Sequence, residues 1–289
     1  MMTTVERYLA PRSIEEALDG LRAGDVTIVA GGTDLMPQSQ SRKVKFGAGL
    51  MNIRRVEGLR GITRTPTGFR IGALTTITEL RDSTEIRDAL PALWQATDRF
   101  ASNQIRNAAT IGGNLCNASP AGDTHVPLLV YGARVVLAAK PNGTMLTRAV
   151  PLSEFLLGPG RTAKTSAELL TAVEIDAPPP GFVSAFFKFG TRPALDISTI
   201  SIGIGAVREA GPLQQVRVAI GAVAPTAIRA TQVEEALEGH VLDKATIDAA
   251  TAAADRDIRP ITDVRATDWY RREMVRNMLE RMLSDVAHG

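Results

Sequence analysis

A chain of 289 residues with 44% apolar and 22% charged side chains has the composition of an ordinary globular protein, long enough for two or three small domains and a substantial core. A net charge of +2, with lysine and arginine scattered and no basic run alternating with aromatics, excludes an electrostatic case for nucleic acid or an anionic membrane. The single cysteine, Cys116, excludes an intrachain disulfide framework and any iron–sulfur cluster ligated wholly by this chain's thiols, and it fits a reducing, cytoplasmic setting.

Met1 to Arg7 carries no apolar signal-peptide core, and the most apolar run, Val126 to Val136, is interrupted by Gly132 and Arg134 and too short to span a bilayer. Ser13-Ile14-Glu15-Glu16 is a capping box opening a helix with Ile14, Ala17, Leu18 and Leu21 on one face. Gly24 ends it, and a strand from Val26 to Ala30 runs into Gly31-Gly32-Thr33-Asp34, after which Pro37 keeps any helix short. Phe69–Ala73 reads as a strand, and Thr76-Ile77-Thr78-Glu79-Leu80 starts a helix with Thr76 or Thr78 as its cap. Ala89 to Ser102 reads as one helix with Leu90, Leu93 and Ala96 inward and Pro91 in its first turn. Ile105 to Leu115 reads as irregular around a second pair, Gly112-Gly113. A helix at Val126–Tyr131, a strand at Arg134–Ala139, a turn at Pro141-Asn142-Gly143 and a strand at Leu169–Ile175 follow.

Pro178-Pro179-Pro180-Gly181 marks the clearest boundary, since three prolines give no ladder donors and stiffen a link. Beyond it lie strands at Val183–Phe189, Thr199–Val207 and Gln214–Val223, the last two a hairpin across Glu209-Ala210-Gly211-Pro212. Three helices close the chain: one capped by Thr231 with Glu234, one over Ala245–Ala254, and one over Asp268–Leu283. In the last, Val275, Met278, Leu279, Met282 and Leu283 form the apolar stripe, and Arg271, Arg272, Glu273, Arg276, Glu280 and Arg281 fall largely outside it. The methionines are core filler. His125, His240 and His288 have no metal-ligand spacing.

Two stretches share one design: Val26 to Leu35 and Ala109 to Leu115 each run from β-branched residues into Gly-Gly and a short polar residue. Glycine pairs let backbone approach a ligand closely, and successive N–H groups can converge on an anion. Two such loops point to one phosphate-bearing ligand. Neither is a dinucleotide GxGxxG, because no third glycine follows at that spacing and Pro37 blocks the long helix the motif needs.

Ala30-Gly31-Gly32-Thr33-Asp34-Leu35, Ile71 to Leu80, and Gln104 to Leu115 continuing through Asn117-Ala118-Ser119-Pro120-Ala121-Gly122-Asp123 together resemble the flavin-binding medium subunit of the molybdenum hydroxylases, the family of xanthine dehydrogenase, carbon monoxide dehydrogenase and 4-hydroxybenzoyl-CoA reductase. The resemblance spans the whole chain. It implies an α/β (α+β) fold: a two-lobed FAD-binding domain of the PCMH type, lobes 1–60 and 61–177 sandwiching FAD, then a C-terminal domain, 178–289, with a three-stranded antiparallel sheet and helices.

The resemblance places Val29, Ala30, Gly31, Gly32, Thr33, Asp34 and Leu35 in a first clamp on the FAD pyrophosphate, and Ala109, Thr110, Gly112, Gly113 and Asn114 in a second, with Phe100 as an apolar contact. A carboxylate accepts only, so Asp34 is expected to take backbone N–H groups and fix its loop. Ser119 and Asp123 fall where the family binds the ribityl chain and phosphates; the competing reading of Asp123 is a turn cap. Lys188 matches the family's flavin-proximal lysine, against a solvated lysine on a sheet edge; Arg192 and Asp196 lie in the next family block, Asp196 with a structural alternative. Cys116 reads as a small buried hydrophobe.

The implied function is electron transfer: FAD in this chain accepts electrons from two 2Fe–2S clusters of a small partner subunit, beside a large molybdopterin subunit, and passes them to an external acceptor. The assembly is a heterotrimer, doubled, with no membrane span. The extra cluster-bearing insert of 4-hydroxybenzoyl-CoA reductase is absent. The alternative is a self-contained FAD-dependent oxidase or reductase of the vanillyl-alcohol-oxidase type, disfavoured because the residues after Pro180 hold no acid–base cluster.

Overall fold

The computed structural model describes residues 5–192, 196–208 and 211–288. Strand β1 (Arg7–Leu9) leads to helix α1 (Ile14–Arg22), where the Ser13 hydroxyl accepts from the Glu16 amide, as the capping box requires. The reciprocal bond reaches one residue further back, from the Arg12 amide to Glu16 Oε2 at 2.8 Å. Strands β2 (Val26–Val29) and β3 (Gly49–Asn52) flank α2 (Leu35–Gln40), six residues long with Pro37 in its first turn. Both pairings in the sheet β1-β3-β2 are parallel, and Ala17, Leu18 and Leu21 of α1 pack into one core with Met51.

Strands β4 (Ile62–Thr65) and β5 (Gly68–Gly72) precede α3 (Ile77–Asp82). Thr76 is the cap, in a complete box: its hydroxyl accepts from the Glu79 amide while Glu79 Oε2 accepts from the Thr76 amide at 2.8 Å. The helix expected over Ala89–Ser102 is the shorter α5 (Pro91–Asp98), and a separate helix, α4 (Thr84–Ala89), precedes it. Leu90, at φ −132° and ψ 58°, breaks them because proline at the next position disfavours helical backbone before it. The stretch expected to be irregular holds α6 (Asn103–Arg106) and α7 (Ile111–Asn117), with Gly112 and Gly113 inside the helix. The Thr110 hydroxyl caps α7 by accepting from the Gly113 amide, and this local bond overrides the low helix propensity of two glycines. There follow α8 (His125–Val130), β6 (Arg134–Ala139), β7 (Leu146–Pro151), α9 (Leu152–Phe155), the short pair β8 (Leu156–Gly158) and β9 (Arg161–Thr162), and β10 (Leu169–Asp176). The second sheet runs β4-β5-β10-β6-β7.

After the prolines come β11 (Phe182–Phe189), β12 (Ile200–Val207), β13 (Gln214–Gly221) and β14 (Ile228–Arg229), then α10 (Thr231–Leu237), α11 (Lys244–Asp257) and α12 (Asp268–His288). The C-terminal sheet has four strands, not three: β14 pairs with β13 through Ala219↔Arg229 and Ile220↔Ile228, two residues being too few for a periodic sequence signal. The expected β12–β13 hairpin forms, although Glu209 and Ala210 of its turn lie outside the described residues. Thr231 does not cap α10. Ala230 holds that position, and Glu234 accepts instead from the Val218 amide and the Arg229 guanidinium.

The chain condenses into two compact units, neither continuous in sequence. One comprises residues 1–82, 102–118 and 133–175, and the other 83–101, 119–132 and 176–289. In the second unit, Ile200, Ile202 and Ile204 of β12 and Val216, Val218 and Ile220 of β13 join the apolar residues of α10, α11 and α12 in one core. The other face carries Ser201, Gly203 and Gly205, and there α8 lies close: a Cβ on Gly203 would stand 2.9 Å from Val126 and 3.0 Å from Val130. Among the described residues, no helix is long and apolar enough to cross a membrane.

Arg271 departs from expectation. It is 2% exposed, four residues before Val275 and so on the buried stripe of α12. Its guanidinium donates to the carbonyls of Thr199 (2.5 Å) and Ala222 (2.9 Å) and to Asp263 (2.7 Å), tying α12 to the ends of β12 and β13. An arginine reads as surface by type, but its five donors can satisfy backbone carbonyls that a leucine would leave bare. Arg271→Met should therefore destabilise the protein by about 3 kcal/mol, lowering the calorimetric Tm by roughly 6–12 °C. An unchanged Tm would refute this role.

Candidate functional site

In the first unit, the two glycine loops are brought together by backbone. The segment after β5 zips onto the segment before α7: the Gly112 amide donates to the Ala73 carbonyl (2.9 Å), Ile111 to Thr75 (3.0 Å), and Ile77 to Ala109 (3.0 Å), with Thr76 opposite Thr110. The block Ile71 to Leu80 is thus the dock for the second glycine motif. Gly112 is buried there, and a Cβ on it would meet the Ala73 carbonyl at 2.7 Å. Gly31 packs in turn against Ala108: a Cβ on Gly31 would overlap the Ala108 carbonyl oxygen. Gln38 adds a side-chain tie, donating to Asn117 Oδ1 at 3.1 Å.

The two loops differ in what they offer a ligand. In the second, the amides of Ile111, Gly112, Gly113 and Asn114 are all used, the last donating to the Thr110 carbonyl at 2.9 Å. The second pair therefore supplies closeness, with Gly113 exposed. In the first loop, among the described residues, the amides of Gly31, Gly32, Thr33 and Asp34 have no acceptor in the chain. Gly32 has φ +71°, which turns the backbone there at no steric cost to glycine. Val29, Ala30, Gly31, Gly32, Thr33 and Leu35 are all half-buried. A short row of uncommitted amides beside small residues is the chemistry a pyrophosphate needs, so the residues present fit the cofactor expected.

Asp34 does not take backbone N–H groups as expected. It is exposed, has φ −115° and ψ −41°, and accepts from Gln38 Nε2 one helical turn on at 2.6 Å. Already near-helical backbone turns its carboxylate along α2 rather than back over the loop. Ala109 and Thr110 are buried at 6% and 5% exposure. Desolvation pushes the Cys116 thiol up to about 11, so it stays protonated and unreactive near neutral pH.

In the second unit, Phe100 is buried, and the Ser119 hydroxyl accepts from the Ala121 amide at 3.3 Å. Asp123 is buried and is not a turn cap. Its Oδ2 accepts from Lys188 Nζ at 2.7 Å and its Oδ1 from the Ser198 hydroxyl at 2.9 Å. Burial pushes its carboxyl above the ordinary range, and the Lys188 charge and the two hydrogen bonds pull the other way. Lys188 is not a solvated edge residue, since its side chain is 8% exposed and also donates to the Arg99 carbonyl at 3.3 Å. Alternation along β11 explains this: Ala185, Phe187 and Phe189 pack on the C-terminal core, so Lys188 faces the other way with Ser184 and Phe186. Asp196 accepts from the amides of Thr191, Arg192 and Ile197; these bonds, the Thr191 hydroxyl foremost, hold its carboxyl below the usual range. Pro193, Ala194 and Leu195 of that block lie outside the described residues. Ser198, Arg99 and Gln38 gave no sequence signal, because a lone serine, a carbonyl or a glutamine has no pattern to betray it. Among the described residues, no group of three or more His, Cys, Asp or Glu could hold a metal ion.

A parallel three-stranded lobe, a glycine loop with uncommitted amides, and a second sheet that docks a glycine-bearing helix make a mixed α/β protein built to hold a phosphate-bearing cofactor. The family model for the FAD binding domain in molybdopterin dehydrogenase matches residues 3–178, and that for the CO dehydrogenase flavoprotein C-terminal domain matches 185–286. The xanthine dehydrogenase FAD-binding subunit of Escherichia coli O157:H7 is 34% identical over 262 residues, 90% of this chain and 88% of that one. The nicotinate dehydrogenase FAD-subunit of Eubacterium barkeri is 31% identical over 96% of this chain and 95% of its own length. Among solved structures, carbon monoxide dehydrogenase of Hydrogenophaga pseudoflava superposes with a TM-score of 0.90 at 31% identity, over 97% of this chain and 96% of that one. The chain belongs to the family of FAD-binding subunits of the molybdopterin dehydrogenases and is an oxidoreductase component.

Two glycines separate the roles of the loops. Gly31→Ala sets backbone against backbone with nothing able to rotate aside, so it should lower both Tm and the flavin-to-protein ratio after gel filtration. Gly113→Ala meets only the Thr110 hydroxyl, at 2.9 Å, and should cost about 1 kcal/mol through the cap. Full flavin at wild-type stability in Gly31→Ala would remove that contact from the site.

Proposed function

We propose that this chain is the electron-transfer subunit of a heteromeric molybdenum hydroxylase, docked on a small subunit with two 2Fe–2S clusters, beside a large molybdopterin subunit, in a doubled heterotrimer of the cytoplasm. The observation that carries the reading is the row of amides from Gly31 to Asp34 with no acceptor among the described residues, in a chain of this family. The relative from Hydrogenophaga pseudoflava is named the medium chain of its carbon monoxide dehydrogenase, a name that presupposes companion chains. Bound FAD supplies the redox chemistry, taking electrons from the clusters and releasing them in pairs to an external acceptor.

Each group in the chain has a bounded task. The amides of Gly31, Gly32, Thr33 and Asp34 hold the pyrophosphate, with the Thr33 hydroxyl as a further donor. Val29, Ala30 and Leu35 flank that grip, and Ala109, Thr110, Gly112, Gly113 and Asn114 shape the wall beside it. Phe100 supplies an apolar contact, and Ser119 addresses the ribityl and phosphate end. Lys188, held by Asp123, places positive charge toward the flavin ring. The substrate chemistry belongs, in this reading, to the large subunit.

Expressed alone, the chain should carry FAD without iron or molybdenum, and acid precipitation should release the flavin into the supernatant, where it chromatographs as FAD. Expressed with its neighbouring reading frames, it should copurify with iron and molybdenum and reduce a dye in the presence of substrate. Substrate oxidation by the metal-free chain would overturn this reading in favour of a self-contained flavoenzyme.

A further inference from the structure

Ser198 is fully buried and donates its hydroxyl proton to Asp123 Oδ1, while Asp123 Oδ2 receives Lys188. The two oxygens of one carboxylate are thereby given different partners. Rotation of the carboxylate about its χ2 would break both bonds at once, so the serine fixes which oxygen faces the ammonium. Lys188 spends a second proton on the Arg99 carbonyl, and its third N–H has no acceptor among the described residues. An ammonium has three donors, so one is left for whatever Lys188 addresses.

We propose that Ser198 is a positioning residue: through Asp123 it sets the direction and the net charge that Lys188 presents to bound flavin. This rests on the reading above that Lys188 faces the flavin. While Asp123 is ionised, it compensates the lysine; once Asp123 is protonated, the lysine charge stands alone and favours reduction of a nearby flavin.

Among the described residues, few charged or titratable groups bear on Asp123. Lys188 comes from β11, and His125, itself buried, opens α8 two residues on. Arg99, past the end of α5, offers its carbonyl to Lys188. Asp196, two residues before Ser198, is turned to the amides of Thr191 and Arg192. Lys188 is the charged partner that acts on Asp123, and Ser198 the neutral one. Removing the serine hydroxyl takes away a bond to the ionised form alone, so Asp123 should take up its proton at higher pH.

The test is the flavin midpoint potential as a function of pH, measured on the FAD-loaded protein. Wild type should show an inflection where Asp123 titrates. Ser198→Ala should keep its FAD and move that inflection up by about one pH unit, the equivalent of one hydrogen bond. Asp123→Asn, of nearly the same size, should abolish the inflection and hold the potential at its higher branch. Lys188→Met should lower the potential throughout. A change in Ser198→Ala confined to Tm, with the potential curve unmoved while Lys188→Met shifts it, would overturn the proposal. No shift in Lys188→Met would overturn the placement of Lys188 itself. If Ser198→Ala does not fold, Asp123→Asn decides: a curve identical to wild type would mean that the carboxylate through which Ser198 acts does not tune the flavin.

Discussion

Close approach of backbone to backbone is the constraint on which the flavin end of this molecule depends. Gly31 lies on the Ala108 carbonyl and Gly112 on that of Ala73, in contacts that a Cβ would fill. Side-chain packing can relax by changing rotamer, but two peptide planes in contact cannot, so these positions hold the loops with little play. Preorganisation matters for a loop whose amides must converge on an anion, because each amide ordered before binding lowers the entropy lost on binding. The zipper between Ala73–Ile77 and Ala109–Gly112 supplies that order from outside the loop.

The second unit applies a different principle. Asp123 and Lys188 form a pair whose side chains are 10% and 8% exposed, a costly arrangement unless the remaining donors and acceptors are met. Ser198 and the Arg99 carbonyl meet part of that demand. A neutral, well-packed pair of the same volume would be as stable or more so, so its presence argues for a use of charge rather than for stability.

Much of this was legible in the sequence. Periodicity located α1 and the long C-terminal helix, apolar runs and their order located α8, β6 and β10, and the Gly-Gly motifs pointed to the loops that meet. What stayed hidden has identifiable causes. The stretch around Gly112-Gly113 read as irregular because two glycines argue against helix, and the Thr110 cap reverses that. Arg271 read as surface because residue type outweighed its place four before Val275. Strand β14 is two residues long and pairs only because β13 presents an edge to it. Ser198 stands in Asp196-Ile197-Ser198-Thr199-Ile200, where nothing separates a buried positioning serine from a strand-end residue.

The discontinuity of the second unit bears on how the chain is made. Helix α8 ends at Val130, yet the glycine-lined face that receives Val126 and Val130 is complete only when Gly221 has been added. At ordinary rates of synthesis, this apolar helix waits on the order of ten seconds for its partner sheet. Helix α5 waits in the same way for the Phe186 amide that Gln95 accepts. The nascent chain therefore presents two hydrophobic segments before their sheet exists, and this interval, rather than the finished fold, is where its apolar surface is most open to aggregation.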